Sequence, residues 1–483
     1  MKFAVMCDMH LPECTDAVQY DYLYYAIDNI KKEGVDFLIV NGDISATGED
    51  IAFKVLKEKL AGVKYVAVLG NSDVRSGDRC SEKYKSRIIC ADRNIYIINT
   101  AFDHISEPDK IALSRAEDDD IIVMHHSIEA LSAESKTFMI SLLESKKILL
   151  IHAHSHGFRD YACGKSRVVC ARALDPEKSI GAPPAITYFN VDGTDIAFHE
   201  KIFPISADRV LGFKNYIGMS CFDNNNSIRY AIKRKICNIE LKFYDSEHEK
   251  ELLALVKEWR AEGGNSLSIH MPNISLIHNG IKNVDKWKYA IEFAEKCNAN
   301  ALTLHPPRNT LLEVYDNKDE LSEFYLKSLC ELRTDVKIGF ENLHMNKNEV
   351  AGNNRGYGYI PEEILLLSEA VNKSFGYERT GVVLDVGHAR NNAPYNSKFT
   401  LGMFFASVGK YITAYHIHQV IRTDGRLHNH CAIENWFGPM ISYSAFFKAW
   451  EKGQINKAPV FFEMRSIEDV EKSMDAFNLL KEM

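Results

Sequence analysis

Gly381–His388 reads GVVLDVGH. Its apolar run stops at a carboxylate, Asp385, and an imidazole, His388, follows three residues on. A short continuous apolar run of this kind predicts a strand buried on both faces, with polar chemistry gathered at its carboxyl end. The same form recurs seven times between residues 211 and 483, in NYIGMSCF, CNIELKFY, SLSIHMPN, ALTLHPPR, VKIGFENL, ITAYHIHQ and APVFFEMR, each followed by a helical pattern. Eight such units in about 270 residues predict a (β/α)8 barrel, a fold that usually takes about 250 residues and collects its active site at the carboxyl ends of its strands.

Upstream the rhythm differs. KFAVMCD, DFLIVNGD, YVAVLGN, IIVMHH and ILLIHAH read as strands packed between other layers. A helix is predicted over Tyr22–Lys32, with Gly34 as its C-terminal stop. From Arg167 onward RVVCARAL, AITYFNV and DIAFHEKIF follow as strand after strand, with VDGTD as a hairpin turn between the last two. The chain is therefore expected to be α/β throughout: a layered α/β sandwich over residues 1–208 and a TIM barrel over residues 209–483, with no low-complexity linker at the junction.

Composition narrows the function classes. With 483 residues, 46% hydrophobic and 26% charged, the chain has a soluble globular make-up, which excludes disordered, collagen-like and coiled-coil classes. No apolar stretch reaches the ~18 residues that suggest a membrane span. The first run, MKFAVMCDMH, is interrupted by an aspartate and a histidine, unlike a secretory signal. Eleven cysteines without a C-x-x-C pair predict reduced thiols, so the expected location is the cytoplasm, with no membrane partner. The net charge of −8 divides into 25 Lys+Arg against 32 Asp+Glu over residues 1–210 (−7) and 33 against 34 over the rest (−1). Neither part has the basic surface usual for nucleic-acid binding, which disfavours that partner.

The polar residues that end the upstream strands form an ordered set: Asp8-x-His10, Gly42-Asp43, Gly70-Asn71-Ser72-Asp73, His125-His126 and His154-x-His156. Such strand ends are where open α/β sheets build their sites. Asp, Asn and His are ligands suited to Mn, Fe, Zn or similar ions, and two ions about 3.5–4 Å apart clamp a phosphate and activate a water. Any one of these elements alone is more often a turn or a satisfied polar pair; five in this order point to metal. Over residues 1–205 the pattern resembles the calcineurin-like metallophosphoesterases. The resemblance implies one ion on Asp8, His10, Asp43 and His156 and a second on Asp43, Asn71, His125 and His154, with Asp43 bridging; His125 is taken over His126 because it directly follows the apolar strand, which leaves His126 behind the ligands. Asp43, Asn71 and His125 are the catalytic candidates among them. Ser72 stands where many members have His, which leaves the general acid unassigned, and Ala153 replaces a Gly.

The barrel strands also end in ligand chemistry: His270, His305, Glu341, Asp385 with His388, His416 and Glu463, with His428 and His430 just beyond the seventh. Glu240 ends the second strand and reads equally as a salt-bridge partner. Buried acids and imidazoles in this number are costly without ions to satisfy them. The phrases FEN, LDVGHA and YHIHQ resemble the xylose-isomerase-like barrels over residues 211–483. Their sugar isomerases and epimerases imply one ion on Glu341, Asp385, His416 and Glu463. Their apurinic endonucleases add histidines on strands three and four and hold three zinc ions, which HMP at His270, HPP at His305 and D-x-x-H at His388 match. The Asp-x-His pair that should follow has its nearest counterpart in Asp424 with His428 or His430, and His428 is taken as the ligand.

Two loops, Asn346–Tyr359 and Asn391–Ser397, follow ligand-bearing strands and read either as mobile lids or as plain solvated loops. Arg308, Arg355, Arg426 and Arg465 are candidate substrate contacts, since Arg grips phosphate bidentately. The expected cofactors are divalent ions (Mn, Fe, Zn or Ni), two in the first domain and one to three in the barrel. The leading reading is a two-centre enzyme: a phosphodiesterase joined to a barrel that acts on a related phosphodiester or phosphorylated sugar, its partner a small-molecule phosphoester. A nuclease of the repair type, a sugar (phosphate) isomerase or epimerase coupled to phosphate removal and using Glu341 and Glu463 as its proton-transfer pair, and a metal-stabilised scaffold are the alternatives.

Overall fold

The computed structural model describes residues 1–76, 84–90, 93–192, 195–242, 249–278, 280–345, 349, 352 and 354–480. These fall into two compact units, Met1–Ile205 with Phe437–Ala445, and Ser206–Trp436 with Phe446–Met483.

The first unit is built on two sheets. One has the order β11-β10-β1-β2-β3, from β1 (Lys2–Met6), β2 (Phe37–Asn41), β3 (Tyr65–Val68), β10 (Ala185–Asp192) and β11 (Asp195–Ile202). The other has the order β4-β5-β6-β7-β9-β8, from β4 (Arg87–Cys90), β5 (Asn94–Ile98), β6 (Ile121–Met124), β7 (Leu149–His152), β8 (Arg159–Cys163) and β9 (Ser166–Cys170). The central strands β1–β2–β3 and β5–β6–β7–β9 run parallel, so their carboxyl ends share one edge of each sheet. One apolar core joins the sheets through Phe3, Val5, Ile39, Val123, Ile151 and Val169. Two more cores lie on the outer faces, one against the helices Val18–Glu33 and Asp50–Lys59, the other against Ala133–Ser145. Burial on both faces is why these strands read as unbroken apolar runs. The first helix spans Val18–Glu33 and ends at Gly34 in the left-handed region (φ 62°). The VDGTD hairpin pairs Asp192 with Asp195; Gly193 and Thr194 lie outside the described residues. Sequence reading passed over β4, β5 and β8; β4 and β8 are edge strands, and most of each is exposed.

The second unit is a closed parallel barrel, β12 (Ile217–Cys221), β13 (Asn238–Lys242), β14 (Ser266–His270), β17 (Ala301–Leu304), β18 (Lys337–Glu341), β19 (Thr380–Asp385), β20 (Ile412–Ile417) and β23 (Val460–Glu463). These are the eight runs read from the sequence. Two hairpins are added beyond strand ends, β15–β16 (Ser275–Ile277, Gly280–Lys282) after β14 and β21–β22 (Gln419–Thr423, Arg426–Cys431) after β20. Among the described residues no helix is long and apolar enough to cross a membrane.

Candidate metal centres

In the first unit the strand ends hand over to tight turns. Asp8, His10, Asp43, His154 and His156 all lie at positive φ, between 43° and 66°. Asp and His enter this region more readily than most residues, but each non-glycine there costs on the order of 1 kcal/mol, and such strain gathers at functional sites. Gly70 is required for a different reason. A Cβ there would collide with the Asp43 carboxylate and its backbone N. Asp73 ties the two turns together, accepting from Ile44 N, Ser45 N and Gly70 N at 2.7–3.2 Å.

The resulting geometry brings donor atoms of Asp8, His10, Asp43 and His156 within 4.8 Å of one another, and likewise those of Asp43, His125 and His154. Asp43 stands in both groups. His125 Nδ1 faces the Asn41 carbonyl at 2.9 Å, which fixes the tautomer and turns Nε2 toward Asp43 Oδ2 at 3.5 Å. Asn71 Oδ1 is buried and receives no hydrogen bond, as an oxygen kept for a cation would be. Burial pushes His125 down, but Asp43 and Asp8 outweigh it and bring the ring up to about 9. His154, with burial and His125 against it, falls to about 4. His126 joins neither group; its Nδ1 lies 3.1 Å from Thr100 Oγ1 and its ring packs on His154. Ser72 donates to the Ser45 carbonyl and is fully buried, so its hydroxyl is occupied.

In the barrel the centre is Glu341. Its Oε2 lies 3.3 Å from His270 Nε2 and 3.1 Å from His305 Nε2; its Oε1 lies 3.3 Å from His416 Nδ1 and 3.4 Å from His388 Nδ1. Three groups of donor atoms result: His270, His305, Glu341; Glu341, Asp385, His416, Glu463; and His388, His418, His430. Glu341 Oε1 and Oε2, Asp385 Oδ2 and Glu463 Oε2 are buried and receive no hydrogen bond, so the donors present fit cations. Glu240, which sequence left as an ion-pair candidate, stands behind His416. Its Oε1 is 3.0 Å from His416 Nε2, and the hydroxyls of Ser220, Ser268 and Thr303 donate to it at 2.6–3.1 Å. Burial alone would raise this carboxyl, yet His416 and the hydroxyl donors hold it at about 2.

The third group departs from the sequence expectation. His430, not His428, enters it. At φ 60° His430 turns out of the alternation of β22 and donates its backbone N–H to His418 Nδ1, whereas His428 stays in hairpin pairing with Ile421 and belongs to no group among the described residues. His418 was missed, although its spacing from His416 in HIHQ repeats the two-residue period of a strand face.

A cleft of about 830 Å³ opens over the cluster, lined by Lys242, His270, His305, Arg308, Glu341 and Glu463 among others. Of the candidate arginines only Arg308 reaches it, 3.1 Å from His305 Nδ1. Arg355 is buried, pairs with Glu363 and stacks on Tyr395 and Tyr359, so it braces its own loop. Arg426 is exposed at the tip of β21–β22, and Arg465 is exposed beside a separate smaller pocket. Asn346, Lys347, Asn348, Val350, Ala351 and Asn353 lie outside the described residues; the rest of that loop is tied down by Tyr359 and Gly356 donating to Glu349. In the second loop Asn391 and Asn392 donate to Asn429 and Tyr359, which fastens it too.

Fold and clusters together give two units, each with its own candidate carboxylate–imidazole metal site. Residues 239–483, more than half of the chain, match the family model of xylose isomerase-like TIM barrels, and the chain belongs to that family. Residues 1–158 match calcineurin-like phosphoesterase, so the chain is a fusion of a phosphoesterase domain with such a barrel. Both families generally work with divalent metals. Solved structures similar in fold include a dimetal phosphatase from Danio rerio (12% identity, 41% of this chain, 95% of that chain, TM-score 0.34). Others are endonuclease IV from Thermus thermophilus (17%, 55%, 99%, 0.39) and a sugar phosphate isomerase/epimerase from Parabacteroides distasonis (16%, 55%, 93%, 0.37). No curated protein matches the chain.

Proposed function

We propose that the first unit is a phosphodiesterase working with two divalent ions, and that the barrel is a second phosphoester-handling centre, acting on a phosphodiester or phosphorylated sugar. When bound, the ions supply charge stabilisation at phosphorus and an activated water. Asp8, His10, Asp43 and His156 would hold one ion of the first unit, and Asp43, Asn71, His125 and His154 the other. Asp43 stands between the two sites: Oδ1 accepts from Ser72 N, which fixes the carboxylate, and Oδ2 faces both His10 and His125.

The observation that carries the barrel reading is the surrounding of its two glutamates. An isomerase needs carboxylate oxygens free to take a proton from a sugar carbon. Glu341 has both oxygens ringed by four imidazoles, and Glu463 Oε1 holds Lys242 Nζ at 2.5 Å while Oε2 faces His416 and His430. That favours ligand roles for both, and a phosphate group beside Arg308, over a proton-transfer pair. His270, His305, Asp385, His388, His416, His418 and His430 complete the barrel's ligand set.

The test is hydrolysis of bis(p-nitrophenyl) phosphate by the full chain loaded with Mn, Fe, Ni or Zn, compared with Asp43→Asn and Glu341→Gln. Loss with Asp43→Asn supports the first centre. A folded, metal-loaded chain without hydrolysis under every metal contradicts it, and conversion of a ketose phosphate to its epimer with the phosphoester left intact contradicts the reading of the barrel as a centre that works on the phosphoester itself.

A further inference from the structure

We propose that Asp175 is a positioning residue for His10, and that Phe437–Ala445, encoded between β20 and β23, completes the first unit by pinning the loop that carries Asp175. The inference rests on the metal-site reading of Asp8, His10, Asp43 and His156. The loop that follows β9 touches three of those four residues. Asp175 N donates to the Asp8 carbonyl at 2.9 Å and Ile180 N to the His156 carbonyl at 3.2 Å. Asp175 Oδ2 stands 3.2 Å from His10 Nδ1, while His10 Nε2 stands 3.1 Å from Asp43 Oδ2. A carboxylate behind one ring nitrogen holds an imidazole in the rotation that presents the other nitrogen to a cation. Asp175 is 1% exposed and its Oδ1 accepts from Glu177 N at 2.9 Å, so the carboxylate is fixed in place.

The loop is fixed in turn by residues more than 250 positions further on. Gly181 N donates to the Phe437 carbonyl at 2.9 Å, Ser442 N to the Glu177 carbonyl at 3.1 Å, and Ala445 N to the Pro176 carbonyl at 3.2 Å. Tyr22 donates its hydroxyl to the Ser444 carbonyl at 3.1 Å. Phe437, Ile441, Ser442, Tyr443, Ser444 and Ala445 are at most 2% exposed. Buried backbone groups need partners, so without this segment Pro176 O, Glu177 O and Gly181 N lose theirs. A first unit cut at residue 205 therefore lacks part of its own structure, and its grip on the ion beside His10 depends on residues encoded within the barrel sequence.

The test uses the full-length chain carrying Glu341→Gln, so that hydrolysis of bis(p-nitrophenyl) phosphate reports the first unit. Asp175→Ala is expected to weaken Mn(II) binding, read by electron paramagnetic resonance of the free ion, and with it to raise the Mn(II) concentration for half-maximal activity, about 10–100-fold, with a smaller change in the KM for the phosphodiester, and Asp175→Glu to recover part of it. Ser442→Pro, which deletes the N–H given to Glu177, is expected to move the same midpoint in the same direction by a smaller factor. If Ser442→Pro fails to fold by circular dichroism, Tyr22→Phe takes its place. Unchanged Mn(II) midpoints in Asp175→Ala and in the clamp variant overturn the inference while leaving the proposed function standing. A parent chain without metal-dependent hydrolysis overturns both.

Discussion

Glu240 offers the sharpest perturbation, because it is a fully buried carboxylate that touches no proposed ion. Its four partners are His416 Nε2 and the hydroxyls of Ser220, Ser268 and Thr303. Replacement by Gln keeps the volume and one acceptor oxygen but removes the charge that orients His416. Loss of such a carboxylate behind a ligating histidine costs about 10–100-fold in metal affinity, or roughly 1.4–2.7 kcal/mol. Replacement by Ala is harsher. Three hydroxyls and an imidazole nitrogen, all buried, lose their acceptor, and the fold is expected to lose about 3–5 kcal/mol. Metal content after gel filtration and chelator competition read the metal affinity, and urea unfolding reads the stability. The expected outcome for Glu240→Gln is weakened retention at the group containing His416, with metal dependence at the Asp43 centre unchanged. Wild-type retention in Glu240→Gln would refute the claim that Glu240 orients a ligand, and a loss under about 1 kcal/mol in Glu240→Ala would refute the account of its burial.

Glu341→Gln should lower the barrel's metal content by more than one ion, since Glu341 contributes to two donor groups; loss of a single ion by mass spectrometry of the native chain would contradict this. Metal binding at pH 7.5 should release protons. In the metal-free chain His125 and His388 are each raised to about 9, against burial, chiefly by Asp43 and by Asp385 respectively. Because both lie above the ordinary value of about 6.5, the stability these pairs lend the metal-free fold is full below that pH and lost as pH rises through about 9. Zn(II) titration at pH 7.5 in buffers of different ionisation enthalpy should thus show about two protons released from these rings, fewer above pH 9, and zero release would contradict the assignment. Arg308→Ala should raise the barrel's substrate KM about tenfold, near 1.4 kcal/mol, with stability nearly unchanged. Arg355→Ala should instead destabilise the fold by about 3–5 kcal/mol by stranding buried Glu363, and a urea midpoint equal to wild type would contradict it.

The eight barrel strands and most parallel strands of the first unit were legible because they are buried on both faces, which leaves an unbroken apolar run ended by polar residues; Asn94–Ile98 is buried and parallel too, yet was passed over. Edge strands such as Arg159–Cys163 carry no such signature. Ligands that sit at strand ends could be picked out one by one, but which residue orients which ligand could not. Glu240 meets His416 from across the barrel, and Asp175 lies in a DPEK turn whose return to Asp8 and His10 leaves no local trace. His428 and His430 share one hairpin, and only the left-handed turn at His430 decides between them. Arg355 reads as a phosphate contact until Glu363, eight residues on, is seen to hold it.

Anomalous scattering from crystals of the full chain, collected at the absorption edges of the metals found in it, tests the central claim most directly. The account predicts two peaks flanking Asp43, with Asp8, His10 and His156 around one and Asn71, His125 and His154 around the other, and further peaks sharing Glu341. A metal-loaded chain with no peak within coordinating distance of Asp43 or of Glu341 would contradict it.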